Sequence, residues 1–242
     1  MALIGGIKGS RIQLSEKLSL GPSIGPGSPR SAMMMTDVPH DRCNWVIPGK
    51  LLMGAFPRDE DVKGIATCGV THVVCLVDID SCKTRGKVYE PRGEAYRKGL
   101  ADAGLELVYQ PIPSGGTIRD GKIMELVRSV CDGLRGGRRY YVHCEGGIGR
   151  AGTLSALVLG RMERLDGVTA IDRVVALREA RPDKSRNFIP CPETQRQVNQ
   201  VVRLLGNPKD LPVPDRSDMS WLERVKRERA LRAGSPDEAK KQ

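Results

Sequence analysis

A cysteine and an arginine stand at the two ends of a glycine-rich loop, within HCEGGIGRAGT from His143 to Thr153, and this loop constrains the fold more than any other stretch. The run before it, RRYYVHC, is short and β-prone at Tyr140, Tyr141 and Val142. The run after it, AGTLSALVLGRMERL, repeats apolar residues at helical spacing, with Leu154, Leu157, Val158 and Met162 on one face. The loop therefore joins a strand end to a helix start. Unpaired N–H groups at that helix start can surround phosphate oxygens, joined by amides of a loop that Gly146, Gly147 and Gly149 allow to curl. Glu145, Gly146, Gly147, Ile148 and Gly149 are thus expected to line a bound anion. Arg150 adds a planar fork of donors for two of its oxygens. Cys144 faces the same field, so its thiol is expected to ionise below the free value of about 8.5. A thiolate beneath a phosphoryl group is a positioned nucleophile.

Cys-x5-Arg preceded by His and followed by a helix resembles the signature of the cysteine-dependent protein tyrosine and dual-specificity phosphatases. The matching residues are His143, Cys144, Gly147, Gly149, Arg150 and Gly152. Two other glycine-loop readings fail. No Gly-Lys-Ser/Thr follows the glycines, as a nucleotide-binding P-loop needs, and a cysteine stands where a dinucleotide fingerprint requires its first glycine turn. The segment NWVIPGKLLMGAFPR is similar to the entry of bacterial and protist dual-specificity-like members. PETQRQ, Pro192 to Gln197, resembles the Pro-Glu-Thr-x-x-Gln region that closes their catalytic domain, so the resemblance spans Asn44 to Leu205.

The resemblance implies two-step phosphoryl transfer: Cys144 attacks phosphorus to give a phosphocysteine, then water releases phosphate. It implies that His143 hydrogen-bonds into the loop and helps hold the thiolate; a satisfied histidine at a strand end is the plainer reading. It also implies that Gln197, or alternatively Gln195, helps position the hydrolytic water, the plainer reading being a polar helix face.

Two departures stand out. Relatives carry an aspartate about thirty residues before the cysteine, in a motif like Pro-Ile-Pro-Asp-Gly-Gly, to protonate the leaving group; here Pro111-Ile112-Pro113-Ser114-Gly115-Gly116 has serine there. A hydroxyl is a poor general acid, and losing the acid costs a factor of about 100 to 10,000. Asp120, on the same loop, is the nearby carboxylate, either as the acid or as the cap of the following helix. Ala151 occupies the position where relatives usually have the hydroxyl that assists thiolate departure, so the second step should be slow. Glu145 and Ile148 bring no lysine into the loop, which favours a phosphoprotein or small aryl phosphate over a phosphoinositide.

Elsewhere strands alternate with helices. Leu51 to Ala55, Val73 to Val77 and the GLELVYQPI segment read as strands. Asp59 to Cys68, Gly93 to Ala103, Asp120 onward and Asp166 to Ala180 read as helices, with a polar surface loop from Asp78 to Arg92. The expected fold is α/β, a mainly parallel central sheet flanked by helices, protein tyrosine phosphatase-like and of dual-specificity size, with its site at strand carboxyl ends. The resemblance implies that residues 43–206 form the catalytic domain. Residues 1–42 read as disordered or as a targeting segment, and 207–242 as a basic, disordered tail, with WLERVKRERALR as a short basic helix in the alternative.

Seven cysteines without a CxxC pair, and three histidines, set up neither a disulfide framework nor a zinc site; no metal and no cofactor is expected. A reducing, cytoplasmic setting follows, or an organelle if residues 1–35 are a transit peptide. The net charge of +10 suits an acidic partner such as a phosphorylated protein, while 4% aromatics argue against nucleic acid. No apolar run is long enough to span a membrane. Three functions compete: an active protein phosphatase, a phosphate-binding pseudophosphatase, and an RNA 5′-triphosphatase. Cys75 and Cys82 are weighed as redox partners of Cys144 against Cys75 as a core residue. Oligomeric state is not legible in the sequence.

Overall fold

The computed structural model describes residues 38–81, 83–84, 87–88 and 92–206. The readings for residues 1–37, Cys82 and 207–242 lie outside them.

Two strands open the chain as a hairpin, β1 (Cys43–Ile47) and β2 (Leu51–Gly54), paired antiparallel. Gly49 supplies the positive φ of 67° that the tight turn needs, and Lys50 N–H donates to the Ile47 carbonyl. Then follow α1 (Asp59–Thr67), β3 (His72–Cys75), a two-stranded ribbon of β4 (Lys83–Thr84) and β5 (Lys87–Val88), α2 (Gly93–Asp102) and β6 (Glu106–Tyr109). The chain continues through α3 (Asp120–Arg135), β7 (Tyr140–His143), α4 (Gly149–Glu163), α5 (Gly167–Arg178) and α6 (Gln195–Leu205).

The main sheet has five strands in the order β1-β2-β7-β3-β6. Every pairing except β1–β2 is parallel. Parallel pairing needs crossovers, and the helices between strands supply them. The expected α/β sheet is therefore the fold observed. β1 is an addition: its CNWVI sequence is buried at four consecutive positions, so it shows none of the alternation that marks a half-exposed edge strand.

Helix α4 departs from the one-sided stripe expected of it. It is buried at every position from Gly149 to Gly160, because it packs against α3, α5, α6 and the sheet. Small residues permit the approach. A Cβ on Gly160 would lie 2.3 Å from Leu205 Cδ1, and one on Gly167 would lie 2.4 Å from Val202 Cα. Among the described residues no helix is long and apolar enough to cross a membrane.

Strand register sets the site. Gly54 pairs with His143, His143 with Cys75, and Cys75 with Tyr109, so four carboxyl ends finish in one row. Ligands of such sheets bind outside that row. The Cys144 loop leaves from its centre.

Candidate active site

The loop from Cys144 to Gly149 is held by its carbonyls. Phe56 N–H donates to the Glu145 carbonyl at 3.1 Å, and Arg181 Nη2 donates to the Gly147 carbonyl at 2.8 Å. The Cys191 thiol donates to the Ile148 carbonyl at 3.2 Å and Thr153 Oγ1 to the Gly149 carbonyl at 2.9 Å, while His143 Nδ1 lies 3.4 Å from the Cys144 carbonyl. In a planar trans peptide the N–H points opposite the C=O. With the carbonyls drawn outward, the N–H groups of the following residues are turned toward the interior of the loop. Among the described residues, the N–H groups of Glu145 to Gly149 make no hydrogen bond. Converging unpaired amides at a helix start form an anion bowl. Cys144, 3% exposed, stands at its strand-side edge.

Glycine is obligatory at Gly147. Its φ is +65°, and an added Cβ would lie 2.2 Å from the Gly54 carbonyl carbon. The loop thus rests backbone-on-backbone on the end of β2. Gly54 is constrained in turn, since a Cβ there would meet Tyr141 Oη at 2.2 Å. Tyr141 Oη donates to the Ala55 carbonyl and accepts from His40 Nε2. The ordered contacts thus reach upstream of the expected Cys43 boundary.

His143 is fully buried, and burial pushes its pKa down to about 3. It is neutral at physiological pH, so it contributes geometry and no charge. Its Nε2 accepts from Tyr96 Oη at 2.7 Å, whose own pKa burial pushes upward, leaving the Nδ1 proton for the Cys144 carbonyl.

Arg150 is 8% exposed. Its Nη1 donates to the carbonyls of Leu76 at 3.0 Å and Ile112 at 2.9 Å, tying the arginine to the loops after β3 and β6. Among the described residues Nε and Nη2 make no bond, which leaves a two-donor edge for an anion.

The Pro113–Ile118 segment is fastened to the last helix. Thr194 Oγ1 donates to the Gly115 carbonyl at 3.0 Å, Gln197 Nε2 to that of Gly116 at 3.1 Å, and Gln200 Nε2 to that of Ile118 at 2.6 Å. Gln197 is wholly buried, and its Oε1 also accepts from the N–H groups of Glu193 and Thr194. It caps α6 and clamps the loop, in place of the exposed helix face weighed for it. Gln195 is exposed and donates to Asn199. Ser114 is exposed on this loop.

Asp120 is committed elsewhere. Arg203 grips both carboxylate oxygens at 2.8 Å, and Gln200 Nε2 adds a bond at 2.9 Å. These bonds, the arginine's first, pull its pKa down to about 2. A carboxyl so held carries no proton near neutrality, which speaks against Asp120 as the proton donor expected from the sequence. Nor does it cap α3: the capping position is Arg119, and Asp120 is the first helical residue. Cys75 is likewise inert, buried with its thiol aimed at the Val77 carbonyl and pushed up to about 12 by burial. Its core role stands, and the pairing with Cys82 lies outside the described residues.

Sequence reasoning missed Arg181, Cys191 and Tyr96. Arg181 is 4% exposed and joins Asn44 Oδ1, the Met53 carbonyl and the Gly147 carbonyl. Its one sequence signal is a basic residue just past the amphipathic α5, indistinguishable from a solvated helix end.

A cysteine under an anion bowl, at the carboxyl ends of a parallel sheet, with an arginine six residues on, defines a cysteine-dependent phosphatase fold and site. Residues 40–184 match the Swiss Army Knife protein, DSP-PTPase phosphatase domain, and the chain belongs to that family of dual-specificity-like phosphatases. It is 26% identical over 123 residues, 49% of this chain, to a protein of Invertebrate iridescent virus 3 provisionally designated tyrosine phosphatase 067L. It is 30% identical over 98 residues, 40% of this chain, to cyclin-dependent kinase inhibitor 3 of Mus musculus. The matches span 46% and 45% of those relatives' own lengths. Among solved structures, Tk-PTP in its active form shares the fold, with a TM-score of 0.52 and 22% identity over 68% of this chain and 96% of that one.

Proposed function

We propose that the protein hydrolyses phosphotyrosine, and phosphoserine or phosphothreonine with it, in phosphorylated proteins of a reducing, cytoplasmic compartment. The observation that carries this reading is the outward anchoring of the loop carbonyls around Cys144, which turns the loop amides inward as a bowl for a phosphoryl group.

Cys144 sulfur attacks phosphorus as the phosphorus–oxygen bond of the substrate breaks, and the free edge of Arg150 with the loop amides bears the charge on the equatorial oxygens. His143, neutral, keeps the Cys144 peptide in register. With Asp120 unavailable and serine at 114, the leaving oxygen departs largely as an anion and takes its proton from water, so phenolates are favoured over alkoxides. Water then breaks the phosphorus–sulfur bond and phosphate leaves. Gln197 positions the 113–118 loop rather than the water. Ala151, fully buried, offers no hydroxyl to the departing thiolate, so the phosphocysteine is expected to accumulate.

Rapid quenching during turnover of an aryl phosphate, followed by mass spectrometry, should find a phosphoryl group on Cys144 and a burst of phenol in the first turnover. Absence of both adduct and turnover would leave the pseudophosphatase reading, which the commitment of Asp120 and the serine at 114 favour; that binder would still protect Cys144 from alkylation with phosphate.

Asp120→Asn separates the structural role from the acid role. Aryl phosphate kcat should fall less than about threefold, against the roughly 100-fold or greater loss of a general acid. The denaturation midpoint should drop by the small amount that corresponds to losing a solvent-screened pair, worth about 1 kcal/mol or less. A 100-fold fall in kcat with an unmoved midpoint would restore Asp120 as the acid.

A further inference from the structure

Beside the phosphate loop lies a cleft of about 690 Å3 that shares Glu145 and Gly146 with it. Six arginines line this cleft, Arg42, Arg58, Arg92, Arg178, Arg181 and Arg186, against four carboxylates. Most of that positive charge is already used. Arg42 bonds the Phe56 carbonyl and Asp61; Arg92 pairs with Glu145 at 3.1 Å and lies over the Phe56 ring at 4.3 Å. Arg181 serves the sheet and the loop, and Arg58 keeps a loose pair with Glu60 at 3.7 Å.

Arg186 differs. Its guanidinium makes no hydrogen bond or ion pair among the described residues, and it is exposed. It also lies against the phosphate loop, since a Cβ on Gly146 would come within 2.9 Å of its Nη1. The turn that carries it is built from inside. Arg178, 5% exposed, donates from Nη1 to the Ile189 carbonyl and from Nη2 to that of Arg186. Asn187 N–H to the Lys184 carbonyl and Ile189 N–H to the Arg186 carbonyl, both at 3.0 Å, close the turn. A buried arginine thus fixes the backbone from which Arg186 projects, its charge felt by the Asp183 carboxylate but its donors unbonded among the described residues. A guanidinium fork at the lip of an anion site can pair with a further anion; its backbone is already placed, so only the side chain has to be ordered.

We propose that Arg186 reads a second anionic group, a carboxylate or a second phosphate, on the same polypeptide whose phosphorylated residue occupies the Cys144 loop. This rests on the phosphoprotein reading above and adds its specificity. The cleft favours a peptide over a polyphosphate: Asp59, Glu60, Glu145 and Asp183 in its wall would repel a dense anion, while one further charge can reach Arg186.

Binding to the full-length Cys144→Ser protein tests this without turnover. Fluorescence anisotropy is measured on three phosphotyrosine peptides: one with neutral flanks, one with Asp and Glu beside the phosphotyrosine, and one with an adjacent phosphoserine. A gain of about tenfold over the neutral peptide is expected for the anionic ones, the worth of one charge-assisted pair. Arg186→Ala should bring that ratio close to one and Arg186→Lys should recover part of it. A gain for both anionic peptides assigns the site to any carboxylate or phosphate, and a gain for the phosphoserine peptide alone assigns it to phosphate.

The proposal is overturned if the neutral peptide binds but the ratio is one, or if Arg186→Ala leaves the ratio intact. It is equally overturned if inositol polyphosphate shows the Arg186 dependence and the peptides do not. Failure of all three peptides to bind is the separate result that removes the phosphoprotein reading itself.

Discussion

Cys144→Ser is expected to lower aryl phosphate hydrolysis by a factor on the order of 10,000 or more, because a serine hydroxyl is a far poorer nucleophile than cysteine sulfur. Binding should survive. The bowl is made of backbone amides fixed from behind by Phe56, Arg181, Cys191 and Thr153 through bonds to loop carbonyls, in which the substituted sulfur takes no part, and the Arg150 guanidinium keeps its carbonyl anchors. Calorimetric titration with phosphate or vanadate should therefore give an affinity within a few-fold of wild type. A serine variant that hydrolyses aryl phosphates at the wild-type rate would end the phosphocysteine mechanism, and one that loses phosphate affinity along with rate would show that the sulfur itself organises the loop.

Ser114→Asp should act in the opposite direction and raise the hydrolysis of alkyl phosphates by about 100-fold, the lower range of what a placed general acid contributes. The scaffold for such an acid is already present. Arg150 holds the Ile112 carbonyl, and Thr194, Gln197 and Gln200 hold those of Gly115, Gly116 and Ile118. Gly115, at φ +68°, supplies the tight turn after residue 114. An aspartate there would sit on a braced loop bonded to the same arginine that faces the phosphoryl group. The gain should be largest for poor leaving groups and small for nitrophenolate. The pH profile should acquire a descending limb as the new carboxyl ionises. An equal change across all leaving groups would mean that residue 114 does not face the leaving oxygen.

How much of this was legible in the sequence depends on how far apart the cooperating residues lie. The strand, loop and helix from Tyr140 to Glu163 form one local unit, and its spacing alone singles out Cys144 and Arg150 as candidates. The parallel sheet was legible because buried runs such as Val73 to Val77 alternate with helical periodicity. The commitment of Asp120 was not, since its partners Gln200 and Arg203 arrive 80 and 83 residues later. Gln197 had a visible position but an invisible use, because whether its amide faces solvent or the Gly116 carbonyl depends on how α6 docks. Arg181, 34 residues beyond Gly147, is the extreme case: a buried cation under the loop has the same one-letter signature as a solvated one.

Because the loop's outer rim is fastened by donors from four separate segments, its concave side holds its form without any guest. An oxyanion entering there would meet donors already turned toward it. If the proposed chemistry holds, a single change at the sulfur would remove turnover while leaving the cradle that receives the phosphoryl group.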